Sequence, residues 1–133
     1  MSRVTPQIRR LLEAPLDTFE KLEICMVLWT ATARTQSPRE LAARVQLPVE
    51  LVDRALEDLV AAGYVELAGG LARLTVPTAQ HADVQALVEL YAVDRILIVR
   101  TLSELAMNRV RSMAARAFAD AFQLRRKPEG DDG

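Results

Sequence analysis

Residues 37–75 read SPRELAARVQLPVELVDRALEDLVAAGYVELAGGLARLT, and this stretch decides the fold. Its first residues carry the signals of a helix start. Ser37 is a favourable N-cap, Pro38 suits the first helical position, and Glu40 follows the cap by three residues. Ser37 and Glu40 can therefore satisfy each other's free backbone N–H groups in a capping box, which predicts a helix beginning at residue 38.

A second helix and a hairpin follow in the same stretch. Gln46, Leu47 and Pro48 interrupt the first apolar pattern, and apolar residues then recur at helical spacing up to Gly63, which suits the C′ position. The sequences Val65–Ala68 and Leu71–Leu74 flank Gly69-Gly70, a pair suited to a two-residue hairpin turn. In this register Val65 lies opposite Leu74 and Glu66 opposite Arg73. The stretch is predicted to be helix, turn, helix and hairpin.

The motifs Glu40-Leu41-Ala42 and Ala62-Gly63-Tyr64-Val65 make this order similar to the winged helix-turn-helix superfamily, in particular the MarR-like and PadR-like regulators. The resemblance implies a mostly α fold: a winged helix-turn-helix core with a short two-stranded β-hairpin wing and long C-terminal helices. It also implies a dimeric transcriptional regulator whose second motif helix enters the major groove of DNA.

The rest of the chain is predicted to extend this core. We expect residues 1–76 to form the winged-helix domain with an N-terminal helical arm, residues 77–126 to form C-terminal helices for dimerisation or partner binding, and residues 127–133 to be a disordered tail. No Gly or Pro occurs from residue 79 to residue 126. One unbroken helix there would be about 70 Å long, so a bend or break is expected at residues 92–95.

The C-terminal helices carry apolar side chains on two faces, more than a small monomer covers easily. This pattern favours a homodimer interface or a bound partner helix, and the alternative is a helix buried inside a single all-α core. The predicted dimer-interface residues are Tyr91, Ile98, Leu102, Leu105, Val110 and Met113.

Composition and motifs argue against catalysis. Cys25 and His81 are each the single residue of their type; the first is expected to be a buried inert thiol and the second a surface residue. No phosphate-binding glycine loop occurs, so we expect no enzyme, no cofactor and no metal site. The sequence has neither a signal-peptide stretch nor an uncharged segment long enough to span a bilayer, which favours a cytoplasmic location. Trp29, Met26, Tyr91, Met107 and Met113 either line an effector cavity or fill the core.

Two functions remain open. The net charge is −1, so any attraction to DNA must come from a local cluster of cations. One hypothesis is a DNA-binding regulator using Arg34, Arg39, Arg44, Arg54 and Arg73. The other is a winged-helix adaptor that binds a protein partner through the C-terminal helices and the acidic helix 48–62, whose outward residues include Glu50, Asp53, Glu57 and Asp58.

Overall fold

The computed structural model describes the backbone of residues 3–131 and the side chains of residues 3–123. Six α-helices and a small antiparallel sheet account for most of this part of the chain. The helices are α1 (Pro6–Glu13), α2 (Phe19–Thr30), α3 (Pro38–Val45), α4 (Val49–Ala61), α5 (His81–Val93) and α6 (Arg95–Asp131), and the strands are β1 (Thr35–Gln36), β2 (Val65–Ala68) and β3 (Leu71–Leu74). The predicted mostly α class is confirmed.

The helix-turn-helix forms where its capping signals lie. The Ser37 hydroxyl accepts from the Glu40 N–H at 3.1 Å, and Glu40 accepts from the Ser37 N–H at 3.1 Å, which completes the predicted capping box. Gln46 ends α3 in the left-handed region with φ 57°. Gly63 follows the end of α4 with φ 82°, a conformation that glycine adopts without steric cost. Both helix boundaries are therefore set by local chemistry.

The wing has one strand more than the hairpin that was predicted. β2 and β3 pair in the expected register, with Val65 opposite Leu74 and Glu66 opposite Arg73. β1 adds to the free edge of β3, so the sheet order is β1-β3-β2. This strand has two residues, which is too short for alternation of polar and apolar side chains to be recognised in the sequence.

Helix α2 is the central helix of the core. Leu22, Ile24 and Leu28 are fully buried, on more than one face of the helix. The Thr18 side chain caps α2 by accepting from the Lys21 N–H. The Asp17 carboxylate instead binds the Lys21 ammonium at 2.8 Å. Aspartate and threonine are both favourable N-caps, so the sequence alone does not show whether Asp17 or Thr18 caps the helix.

Buried residues from α1 to α6 form one cluster, so the two predicted regions on either side of residue 76 share a core. The predicted break occurs at Asp94, which has a non-helical conformation (φ −144°, ψ 69°) between α5 and α6. Among the side chains of α6 that the structure describes, only those near its start pack into the core, through Ile98, Leu102 and Leu105. All side chains from residue 106 to residue 123 are exposed.

The end of α6 differs from the expected disordered tail. The backbone is helical as far as Asp131, so residues 127–131 continue the helix, and residues 132–133 lie outside the described residues. Extending an existing helix is far less costly than starting one, which favours a helix that continues past residue 126.

Candidate nucleic-acid interface

One face of helix α4 packs against the core and the sheet, and the opposite face is exposed to solvent. Val52, Leu56 and Leu59 are buried along the inner face. Glu50, Asp53, Arg54, Glu57 and Asp58 are all exposed. The outward residues named from the sequence therefore do lie on one accessible surface of the second motif helix.

Asp58 differs from the other acidic residues of this surface because it has a cationic partner. Its carboxylate lies 3.1 Å from the ammonium group of Lys21, which also binds Asp17. Partial burial of Lys21 opposes its charge, but the hydrogen bonds to Asp17 and Asp58 outweigh that effect and raise the pKa of Lys21 above its usual value. Lys21 is thus protonated at neutral pH and offsets one carboxylate of α4.

Glu40 is also committed to a local role. Hydrogen bonds from the backbone and side chain of Ser37 lower the pKa of Glu40, which keeps the capping carboxylate ionised. Of the five acidic residues on α3 and α4, this leaves Glu50, Asp53 and Glu57, which form no ion pair within the described residues. The acidic excess on the motif is smaller than the sequence alone indicates.

The five arginines predicted to contact DNA fall into two groups. Arg39, Arg44 and Arg54 are exposed on α3 and α4 and form no ion pair among the described residues. Arg34 is half-buried, and its guanidinium lies 3.8 Å from the centre of the Trp29 ring. Arg73 is exposed on the wing and pairs with Glu66 at 3.2 Å. The two motif helices therefore carry three arginines and three carboxylates that form no ion pair among the described residues.

The wing adds apolar surface and little net charge. Gly69 and Gly70 form its tip with φ of 59° and 75° and offer no side chain to a groove. Leu67 and Leu71 flank the tip and are 48% and 44% exposed. Because Arg73 is paired across the strands, the wing supplies no uncompensated cation.

The residues predicted to form a dimer interface are divided between the core and the surface. Ile98, Leu102 and Leu105 are buried against the chain's own helices, because α6 packs on α1 and α5 at this level. Tyr91 is half-buried and donates to Glu23 at 2.8 Å. Val110 and Met113 are 59% and 67% exposed, one to two turns beyond the core. The predicted dimer-interface residues that remain exposed therefore lie between residues 106 and 123 of α6.

The residues considered for an effector cavity do not converge. Met107 and Met113 are exposed on α6, while Trp29 lies in the core and donates through Nε1 to Gln85 at 2.7 Å. His81 was expected at the surface, but it is half-buried, with its ring edge against Trp29 and Nε2 2.8 Å from the carbonyl of Val76. It has this position because the 3₁₀ turn Thr78–Gln80 places the first residue of α5 over α2.

Two further properties concern the rest of the described chain. None of its helices combines the length and apolarity that a membrane span requires. Among the side chains described, no three or more His, Cys, Asp or Glu residues cluster as metal ligands would.

Sequence reasoning missed Lys21. Asp17 directly precedes the cap of α2 and lies four residues before Lys21, a spacing that would have predicted their pairing. The contact between Lys21 and Asp58 joins residues on different helices, 37 positions apart, and no local pattern indicates it.

The order of α2, β1, α3, α4 and the β2–β3 hairpin defines a winged helix. Among solved structures, the chain is similar to Sco5413, a MarR family transcriptional regulator from Streptomyces coelicolor, with 17% sequence identity and a TM-score of 0.52 over 84% of this chain and 81% of that chain. The winged-helix resemblance found in residues 37–75 is therefore confirmed for the fold. Neither the protein-family models nor the curated proteins searched give a match.

Proposed function

We propose that this chain is a dimeric winged-helix transcriptional regulator that acts in the cytoplasm by binding double-stranded DNA, and that it is not an enzyme. The observation that carries the proposal is the helix-turn-helix with Arg39, Arg44 and Arg54 exposed and unpaired. Guanidinium groups bind phosphates and guanine edges with two parallel hydrogen bonds, so they suit both backbone and base contacts.

Because the positive and negative charges on α3 and α4 nearly balance, we expect only a small electrostatic contribution to DNA binding. A carboxylate about 6 Å from a phosphate is repelled by roughly 0.7 kcal/mol in a water-like dielectric. Glu50, Asp53 and Glu57 therefore offset much of the attraction from the three arginines. A Glu or Asp can still accept from cytosine N4, so these carboxylates would favour particular bases while they weaken nonspecific affinity.

The test is fluorescence anisotropy with random-sequence and selected duplexes at low and moderate salt. With about three phosphate contacts per chain, the logarithm of the association constant should fall with the logarithm of salt with a slope near −3 per chain. Arg54→Gln should weaken binding about tenfold, as loss of a charged hydrogen bond implies. Arg100→Gln, an equivalent change at the start of α6, is the control and should have no effect. A chain that binds no duplex even at low salt would overturn the proposal.

The proposed function requires a dimer, and α6 offers a surface for it. Met107, Val110, Met113 and Phe118 are each more than half exposed, all within residues 106–123 of α6, the stretch in which every side chain is exposed. Exposed apolar side chains grouped on one helix commonly mark an interface between proteins. A two-fold dimer formed through residues 106–123 of α6 would have to place its α4 helices about 34–36 Å apart to enter successive major grooves.

A specific observation also supports the adaptor as a second candidate. Val49, Leu51 and Val60 are 38–40% exposed on α4, beside the unpaired carboxylates of Glu50, Asp53 and Glu57. An acidic surface with apolar side chains fits a basic protein segment better than it fits DNA. Charge reversal by Glu57→Arg separates the two functions, because it should strengthen binding to DNA and weaken binding to a labelled oligo-lysine peptide.

A further inference from the structure

An open groove of about 490 Å³ lies between the end of α1 and the part of α6 that follows its packed start. Arg109 and Arg116 line this groove. Glu13, an acidic residue on its wall, lies 3.8 Å from Arg9 and is paired with it. We call this surface the basic groove of α6, because the charges of its two arginines dominate it.

Neither arginine of the basic groove has a carboxylate partner within residues 3–123. Arg109 donates to the backbone carbonyl of Asp17 at 3.2 Å, a bond that holds the side chain in place and leaves its charge uncompensated. Arg116 is exposed. Because the two arginines are seven residues apart, they lie about 10.5 Å apart along the helix axis.

The basic groove faces away from most of the proposed dimer surface. At 3.6 residues per turn, Arg109 and Arg116 lie about half a turn around α6 from Met107 and Phe118. Met113 lies at the boundary between the two faces, since it also lines the groove. A dimer formed through Met107 and Phe118 therefore leaves the two arginines accessible.

Helix α4 carries the complementary pattern. Glu50, Asp53 and Glu57 are exposed and form no ion pair within the described residues, and we call them the acidic face of α4. Glu50 and Glu57 are also seven residues apart, so they lie about 10.5 Å apart along α4. Val49 and Val60, which are 38% and 40% exposed, lie beside this face. The acidic face thus matches the basic groove in sign and in spacing.

We propose that the basic groove of α6 binds the acidic face of α4 from a second copy of the chain. The two arginines pair with the two glutamates at matched spacing, because a guanidinium group offers two parallel N–H donors to a carboxylate. Met113, which is 67% exposed, covers the apolar side chains beside the acidic face. The minority charges correspond as well, since Arg54 accompanies the carboxylates on α4 and Asp120 accompanies the arginines on α6.

The two surfaces belong to separate parts of one chain. Helix α6 packs on α1 and α5, whereas α4 packs on α2, α3 and β2. No ion pair joins the basic groove to the acidic face within residues 3–123. The contact therefore forms between molecules. Because it joins two different surfaces, each bound copy offers a free surface to the next, and association grows with protein concentration.

The proposed contact has a consequence for DNA binding. A copy bound to the acidic face covers α4 and excludes DNA from it, so self-association and DNA binding compete. This consequence rests on the proposed function, whereas the contact itself is measured without DNA. Failure of DNA binding therefore leaves the contact standing, and failure of the contact leaves DNA binding standing.

Sedimentation velocity of the full chain without DNA tests the proposal, over concentrations from micromolar upward. We expect the weight-average sedimentation coefficient at low salt to rise with concentration above the value of the α6 dimer. The rise should be smaller at high salt, because exposed ion pairs are screened. It should persist in Val110→Asp, a change on the other side of α6 that is expected to weaken the dimer.

Charge reversal identifies the two surfaces. Glu50→Arg with Glu57→Arg makes the face of α4 basic, and Arg109→Glu with Arg116→Glu makes the groove acidic. Each pair of changes should weaken association about tenfold or more, since like charges then face each other. The variant that carries all four changes has opposite charges facing each other again and the net charge of the wild type. It should associate as the wild type does.

Glu89→Arg with Glu104→Arg is the matched control, because it changes the net charge by the same amount at exposed positions outside both surfaces. It should associate as the wild type does, and loss of association in this control would overturn the proposal by assigning the effect to net charge. A wild-type sedimentation coefficient that does not rise with concentration would also overturn it. So would a combined variant that is folded by circular dichroism and associates as weakly as its two parents, because the two surfaces then do not meet each other.

Discussion

At the scale of single residues, the fate of each charge depends on contacts that the sequence does not reveal. Glu40 was predictable as a capping residue because its partner is three residues away. Asp58 was not predictable as the partner of Lys21, since folding brings together two helices. The position of Arg34 was not predictable either, because its guanidinium packs on the ring of Trp29. Local sequence thus identified the charged residues of the candidate site, and tertiary packing decided which of them remain available.

The most perturbed groups of the core predict how stability depends on alkaline pH. Burial raises the pKa of the Cys25 thiol to about 12, against a smaller opposing effect of the Arg34 charge. Burial also raises the pKa values of Tyr64 and Tyr91 to about 12. Because these folded-state pKa values lie above the unfolded ones, the native state binds more protons at high pH. Stability is therefore constant below about pH 9 with respect to these groups and falls between about pH 9 and 12.

The variant Cys25→Ala isolates the contribution of the Cys25 thiol to the pH dependence of stability. The wild type should lose roughly 1.4 kcal/mol of unfolding free energy per pH unit above pH 9 through Cys25 alone, before the tyrosines contribute. The variant should be less stable at pH 7, because it lacks the buried sulfur, yet flatter between pH 9 and pH 10. Urea unfolding at a series of pH values measures this. Parallel curves for the two proteins would show that Cys25 does not ionise on unfolding.

At the scale of elements, helix starts and stops were the most predictable features. The capping box of α3, the glycine after α4 and the break before α6 all follow from short patterns of residues. Strand β1 was missed because two residues carry no periodicity, and its pairing with β3 depends on the turn at residues 32–34. The helices whose ends are set by local hydrogen bonds could be predicted from the sequence. Strand β1 could not, because it is defined only by its pairing with β3.

Ser37→Ala tests the energetic weight of the capping box. The variant loses the bond from the Glu40 N–H and leaves a backbone donor of α3 without its partner, so it should lose about 1 kcal/mol of stability. Ser103→Ala, at an exposed position within α6, is the matched control and should be neutral or slightly stabilising. Thermal unfolding of both variants measures the difference. Equal midpoints would indicate that α3 does not depend on this cap.

At the scale of the whole molecule, the sequence predicts excess apolar surface on the C-terminal helices, and part of that surface is covered within the chain. Ile98, Leu102 and Leu105 are covered within the chain, because α1 packs on α5 and α6. The apolar surface that remains exposed lies further along α6. The position of α1 could not be deduced from its own eight residues, since their amphipathic pattern does not specify the helix against which they pack.

We expect two copies of the chain to associate through residues 106–123 of α6. Static light scattering at micromolar concentration should give about twice the chain mass of 14.8 kDa. Val110→Asp places a charge in the apolar surface and should shift the protein towards monomer, because a buried unpaired carboxylate is costly. Ser112→Asp adds the same charge at a neighbouring exposed polar position and should perturb the dimer less. A wild-type monomer at this concentration would contradict the dimer proposal.

The central proposal, that the outward face of α4 meets DNA, is tested most directly by charge reversal on that face. The measurement is the affinity of Glu57→Arg for a random-sequence duplex, relative to the wild type, by fluorescence anisotropy at one low salt concentration. If Glu57 lies near a phosphate, the change of two charge units in each chain should tighten binding about tenfold or more. An affinity that is unchanged, or no detectable binding by either protein, would contradict the proposal that this winged helix reads DNA through α4.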